Sequence, residues 1–156
     1  MQFFEYDTRL AGYAVIVNED REILLSWFNG GHDSSHALWT LPGGGVEFEE
    51  GIEEATIREV KEETGFDAEL LRPLTTHTFN GTSRQPRRGE DGPRPFKGVR
   101  IVYEARIVGG ELGTLEVDGT TDRAEWLPIS SLPQIRHAQI IDIGLEAWTA
   151  APAWDG

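Results

Sequence analysis

Three glutamates, Glu59, Glu62 and Glu63, stand at i, i+3 and i+4 in a segment that reads as one helix. That spacing lets their oxygens converge. At about 100° per residue, Ile52, Ala55, Thr56 and Val60 share one broad sector, which should face a sheet. Glu59 and Glu63 fall in the same sector and Glu62 at its edge, while Glu54 and Lys61 lie opposite. A carboxylate turned toward a core is costly unless a positive charge meets it. Three carboxylates without cysteine or histidine favour a hard divalent cation, Mg²⁺ or Mn²⁺, over zinc. Arg58 points to another sector, where it can hydrogen-bond a ligating glutamate or a loop carbonyl and hold the cluster in place. Upstream, Gly43, Gly44 and Gly45 allow close backbone approach, so this loop can lend carbonyls to a metal or amides to a phosphate. It lacks the Lys-Ser/Thr ending of a nucleotidase phosphate loop.

The elements that must carry these residues alternate as in an α/β domain. Leu10 to Asn18 and Glu22 to Phe28 are β-rich runs separated by Glu19, Asp20 and Arg21, which predicts a hairpin. Ala37 to Gly45 is a short extended piece stopped by Pro42 and the glycines. The helix is expected from about Gly51 to Thr64, ended by Gly65. Asp67 to Phe79 should form a strand broken near Pro73, Asn80 to Gly98 a long Gly- and Pro-rich loop, and Val99 to Val108 a further strand. Arg123 to Ile129 is strand-like, and Gln134 to Trp148 is predicted as a closing helix. There is no repeat and no linker to a second domain, so residues 1–156 are read as one domain.

The stretch from Gly44 through Glu50 to "REVKEETGF" (Arg58 to Phe66) resembles the Nudix box without a mismatch. The preceding strands with "LW.LPGG" and the later "WLP" segment agree with the same family. The resemblance implies an α/β/α sandwich with a mixed β-sheet. It also implies hydrolysis of a nucleoside diphosphate linked to another moiety, with Mg²⁺ or Mn²⁺ as cofactor. By matching position, Glu59, Glu62 and Glu63 are the implied metal ligands, with a backbone oxygen from Gly44 or a neighbour. Glu50 is an outer or second-ion carboxylate, and Arg58 the residue that orients the cluster. The proton-accepting carboxylate is left open among Glu62, Glu63 and a later-loop residue, with Glu104, Asp118, Asp122 and Glu125 as candidates. Signatures of the subgroups acting on ADP-ribose, diadenosine polyphosphates and NADH are missing: Asn80-Gly81-Thr82 and Ser83-Arg84 stand at the first two positions, and "SQPWPF" is absent. A nucleoside triphosphate or oxidised nucleotide giving monophosphate and pyrophosphate is therefore favoured. ADP-ribose or nucleotide-sugar hydrolysis, or a non-catalytic nucleotide sensor, is the alternative.

Composition bounds these readings. The chain has 156 residues, no cysteine, and a formal charge of −13 from 27 acidic and 14 basic residues. Disulfides and thiolate chemistry are excluded. A stable nucleic-acid complex or attraction to an anionic membrane is not expected. No apolar run is long enough to span a bilayer and no leader follows Met1, which predicts a cytoplasmic protein. A small-molecule nucleotide is the expected partner, and a homodimer is compatible with the sequence. Phe48 stands where the family often has a proline. Structural packing is the favoured reading, with substrate contact as the alternative. The one basic region lies between Asn80 and Gly98, where Arg84, Arg87 and Arg88, with Arg94 and Lys97, could pair with substrate phosphates or belong to a mobile insertion. His77 is read as a pocket or core residue, Trp27, Trp39 and Trp126 as sheet packing, and Glu47, Glu49, Glu53 and Glu54 as solvated surface.

Overall fold

Successive buried side chains of the first two strands point alternately to opposite faces, which sorts them into two cores. Val15, Ile23 and Leu25 meet Leu41, Val102, Ile140 and Ile141 on one side. Ala14, Ile16 and Leu24 meet Val60, Ala68 and Ala105 on the other. Period-two side chains on a strand require such a split when both faces are covered. Full burial of side chains such as Leu24, Leu25 and Ile140 stabilises by about 1.5–3 kcal/mol each.

The computed structural model describes residues 1–82, 89 and 91–155. Its elements in chain order are β1 (Asp7–Val15), β2 (Glu22–Phe28), β3 (Leu38–Thr40), β4 (Gly43–Gly45), α1 (Ile52–Thr64), β5 (Phe66–Thr82), β6 (Pro95–Gly110), β7 (Thr121–Pro128) and α2 (Gln139–Ala150). Short 3₁₀ turns occupy Phe3–Glu5, Ser34–His36 and Ile129–Gln134. One sheet has the order β4-β1-β6-β5 and the other β3-β2-β7. The first is mixed, because β1 and β6 run parallel while the remaining pairs are antiparallel. The two helices cover opposite cores: Val60 of α1 belongs to one, Ile140 and Ile141 of α2 to the other. The expected α/β/α sandwich with a mixed sheet is what the chain forms. Among the described residues no helix is long and apolar enough to cross a membrane.

Four expectations are corrected. The predicted hairpin closes locally, with Asn18 Oδ1 accepting from the Asp20 and Glu22 amides, but its strands then part into different sheets. β5 is not broken at Pro73: register shifts between Leu70 and Arg72 and between Pro73 and Thr75 absorb a residue that cannot donate to the ladder. The long loop is shorter than predicted, because Asn80 to Thr82 pair with Pro95 to Lys97. Finally, α2 begins at Gln139 rather than Gln134. The backbone before it is already used, since the Trp39 amide donates to the Arg136 carbonyl and the Ala138 amide to the Trp39 carbonyl.

Candidate active site

Helix α1 enters from Gly51, which offers no side-chain cap, but Glu53 and Glu54 in the first turn suit the positive end of the helix dipole. It ends on Gly65 at φ 81°, a left-handed conformation that favours glycine. Ala55, Thr56, Val60, Glu63 and Thr64 are buried, as the sector reading predicts.

Glu63 is the unusual member of that face, with only 7% of its surface exposed. The buried Ser26 hydroxyl of β2 donates to Glu63 Oε2 at 2.7 Å, and the Gly43 amide approaches the same oxygen at 3.4 Å. Burial pushes the Glu63 carboxyl up to about 8, against the pull of Ser26 and with the Glu59 charge adding to the rise. Glu59 is half-buried and also raised, chiefly by burial, while Arg58 opposes the shift.

Arg58 organises the rest. Its Nε donates to Glu50 Oε2 at 3.0 Å and Nη2 to Glu50 Oε1 at 2.6 Å, a two-pronged pair. Nη1 reaches Glu59 at 3.1 Å and Glu62 at 3.2 Å, and Nη2 also donates to the Gly45 carbonyl. Arg58 thus meets both a ligand candidate and a loop carbonyl, as the sequence suggests. The Arg58 pair and the Glu47 amide hold the Glu50 carboxyl below its ordinary range. Glu50 has both oxygens engaged by Arg58, so its contacts place it as a partner of the arginine. Glu62 is the most open of the group, with 46% of its side chain exposed.

Glu59 and Glu63 face a cleft of about 460 Å³. Gly43, Gly44 and Gly45 of the edge strand β4 line it beside them and form no side-chain wall. At Gly44 a Cβ would lie 2.8 Å from the Glu59 carboxyl carbon, so any larger residue would displace the Glu59 carboxylate from its present position. The Arg9, Tyr13 and Arg100 side chains also line the cleft, as do Phe28 and Leu38 across from them.

The sequence reading missed one carboxylate here. Glu116 lines the same cleft and its charge acts on both Glu59 and Glu63. Its loop is tied to the free end of α1: the Leu115 and Glu116 amides donate to the Glu62 carbonyl, and the Thr114 hydroxyl donates to the Glu63 carbonyl. Such bonds satisfy carbonyls that a helix end leaves without intrahelical partners. The Thr121 amide then donates to Glu116 Oε2. The four base candidates named from sequence are elsewhere engaged or turned out. Glu104 accepts from Arg72, Asp122 from Asn29, and Glu125 pairs with Arg123, while Asp118 is exposed at a turn with φ 55°.

No group of three acidic or histidine side chains is gathered tightly enough to form a ready metal cage among the described residues. Instead Arg58 draws Glu59 and Glu62, and Ser26 draws Glu63. The donor set nonetheless fits a hard cation: oxygen ligands only, one of them buried, and several negative charges facing one space. Phe48 is fully exposed, which overturns the packing reading, and it does not line the cleft. Arg84, Arg87 and Arg88 lie outside the described residues. Of the same basic segment, Arg94 pairs with Asp7 and Lys97 borders a separate surface pocket. His77 is half-buried on β5 and stacked on Phe79.

Over residues 7–147 the sequence matches the NUDIX domain family. It is 36% identical over 121 residues to an 8-oxo-dGDP phosphatase NUDT18 of Homo sapiens, a match covering 77% of this chain and 32% of that protein. It is 30% identical over 128 residues to an ADP-ribose pyrophosphatase of Methanocaldococcus jannaschii, covering 81% and 67% of the two chains. The crystal structure of a MutT NUDIX hydrolase from Burkholderia pseudomallei superposes with a TM-score of 0.67 at 28% identity, covering 90% of this chain and 98% of that one. The chain therefore spans about a third of the length of the human relative.

Proposed function

The chain belongs to the NUDIX family, and from that premise we propose that it hydrolyses a phosphoanhydride bond in a nucleoside diphosphate linked to a further group, using Mg²⁺ or Mn²⁺. The observation that carries this reading is the acidic wall of the cleft, where Glu59, Glu63 and Glu116 face one space that also presents arginines. When bound, a hard cation there supplies charge neutralisation for phosphate oxygens and a lowered pKa for a coordinated water.

Glu59, Glu62 and Glu63 are the proposed ligands, with a carbonyl of the Gly44 strand beside them. Ser26 fixes one oxygen of Glu63 and leaves the other for the cleft. Arg58 holds Glu59 and Glu62 at a common approach, and Glu50 in turn fixes Arg58. Glu116 is the proposed proton acceptor for the attacking water, because its loop brings it to the cleft beside Glu59 and Glu63 without a cationic partner among the described residues. Phe28 and Leu38 supply apolar surface for a base.

The preferred substrate is an oxidised or ordinary purine nucleotide with two or three phosphates, a preference supported by the 8-oxo-dGDP activity in the name of the human relative. The archaeal relative's name supports ADP-ribose as the second reading. Arg87 and Arg88 remain proposed contacts to outer phosphates: replacing both with alanine should raise KM several-fold, and an unchanged KM would remove them. The main test is hydrolysis of nucleoside di- and triphosphates, their 8-oxo forms, ADP-ribose and nucleotide sugars in ¹⁸O-labelled water. Label on a single phosphorus of an oxidised nucleotide is expected. Fastest turnover of ADP-ribose would exchange the two substrate readings, and inertness across the whole panel would defeat hydrolysis.

A further inference from the structure

The cleft has a second charged region, opposite in sign to the first. On the mixed sheet the β1–β6 register sets Arg9 against Gly98 and Ala11 against Arg100. Residues two apart on a strand share a face, so Arg9 and Arg100 rise from the same side of neighbouring strands. Both line the cleft that Glu59, Glu63 and Glu116 enter. They also line a recess of about 100 Å³ beside it, floored by Ala11 and Gly98 and bordered by Tyr13 and Phe79.

Arg100 is held by stacking. Its guanidinium carbon lies 4.2 Å from the Phe79 ring centroid and 5.7 Å from that of Tyr13. The Phe79 ring can lie there because Gly98 has no side chain: a Cβ would come within 2.0 Å of the ring. A guanidinium held over a ring in this way can still donate from its N–H groups to a ligand. Among the described residues, no ion pair or side-chain hydrogen bond engages Arg9 or Arg100, whereas Arg58, Arg72, Arg94, Arg106 and Arg123 all pair with carboxylates. In a chain of charge −13, two adjacent guanidiniums that line one cleft without a carboxylate partner suit an anion from outside. Tyr13 marks the border between the two regions. Burial raises its pKa most, with the Glu63 and Glu59 charges adding to the rise and those of Arg100 and Arg9 opposing it.

We propose that Arg9 and Arg100 form a second anion subsite, which takes the substrate phosphate not held through the glutamates. This rests on the hydrolase reading above and deepens it. Phosphomonoesters would leave one of the two regions empty and bind weakly. Cleavage then separates a phosphate held at the acidic wall from one held at the arginines.

The test uses calorimetry on the full chain with two probes, Mg²⁺ alone and inorganic pyrophosphate in saturating Mg²⁺. The chain and its R9Q, R100Q, R100K and R9Q/R100Q variants are compared, with melting curves as a folding check. The expected result is unchanged Mg²⁺ affinity throughout and pyrophosphate binding weakened roughly tenfold by each glutamine, with a shallower dependence on salt as charge contacts are lost. R100K should fall between, since it keeps the charge without the flat fork. Because Arg9 is exposed, R9Q tests the subsite even if removal of Arg100 disturbs packing. Equal pyrophosphate affinity in the chain and in R9Q/R100Q overturns the subsite. Failure of the unaltered chain to bind Mg²⁺ would count instead against the reading of the glutamates.

Discussion

Glu59, Glu62 and Glu63 come from one stretch of a single helix, while Arg9 and Arg100 come from β1 and β6 and meet only through strand pairing. The acidic wall is crowded with like charges, and burial drives Glu63 toward its neutral form. In the basic region Arg100 lies over the Phe79 and Tyr13 rings, and among the described residues neither Arg9 nor Arg100 makes an ion pair. The contrast teaches that one wall is unfavourable until a cation arrives, whereas the other is already arranged for an anion. The proposed substrate, linked phosphates carrying a cation, would satisfy the two together.

The acidic wall should be the easier one to break. Glu62→Gln (E62Q) removes a charge from the half-exposed member of the cluster, and turnover should fall by about 10² or more with little change in melting temperature. Steady-state kcat for the variant beside its parent decides this, and unchanged turnover would remove Glu62 from the machinery. Replacing Glu116 with glutamine should lower kcat by roughly tenfold to 10³-fold, with loss of the acidic limb of the pH–rate profile if it accepts the proton. A parallel loss of Mg²⁺ affinity would make it a ligand instead.

Arg58 links this wall to its support. Arg58→Ala leaves Glu50, Glu59 and Glu62 without their shared cation, and should cost about 2 kcal/mol of stability as well as weakening Mg²⁺ binding. Urea unfolding with and without Mg²⁺ separates the two effects. A further effect follows from protonation. In the metal-free protein Glu63 titrates at about 8 rather than the ordinary 4.5, so between those values the folded chain binds the extra proton. Stability should therefore decline as pH rises from about 4.5 to 8. Glu63→Gln should flatten that slope in metal-free melting curves. The smallest effect is expected at fully exposed Phe48, where alanine should change stability by no more than about 0.5 kcal/mol.

The same contrast explains what the sequence made legible. Helical periodicity is local, so the buried sector of α1, its Gly65 end and the reach of Arg58 could all be read from neighbouring positions. The separation of β1 and β2 into different sheets could not, because each strand's partner is remote in sequence: Gly43 to Gly45 and β6 for one, β3 and β7 for the other. Glu116 escaped for a related reason. Its placement depends on backbone donors meeting the carbonyl of Glu62, and no pattern of residue types announces such a bond. Arg9 and Arg100 carried no motif at all, and only the pairing register brings them to one face.

The proposed hydrolase chemistry requires the acidic wall to hold a divalent cation. Melting temperature measured across a Mg²⁺ titration, for the chain and for Glu59→Gln/Glu63→Gln (E59Q/E63Q), tests it most directly, since a ligand bound by the folded state raises stability in a saturable way. The chain should be stabilised to a plateau and the double variant should not respond. No shift in the chain, or equal shifts in both proteins, would contradict the assignment.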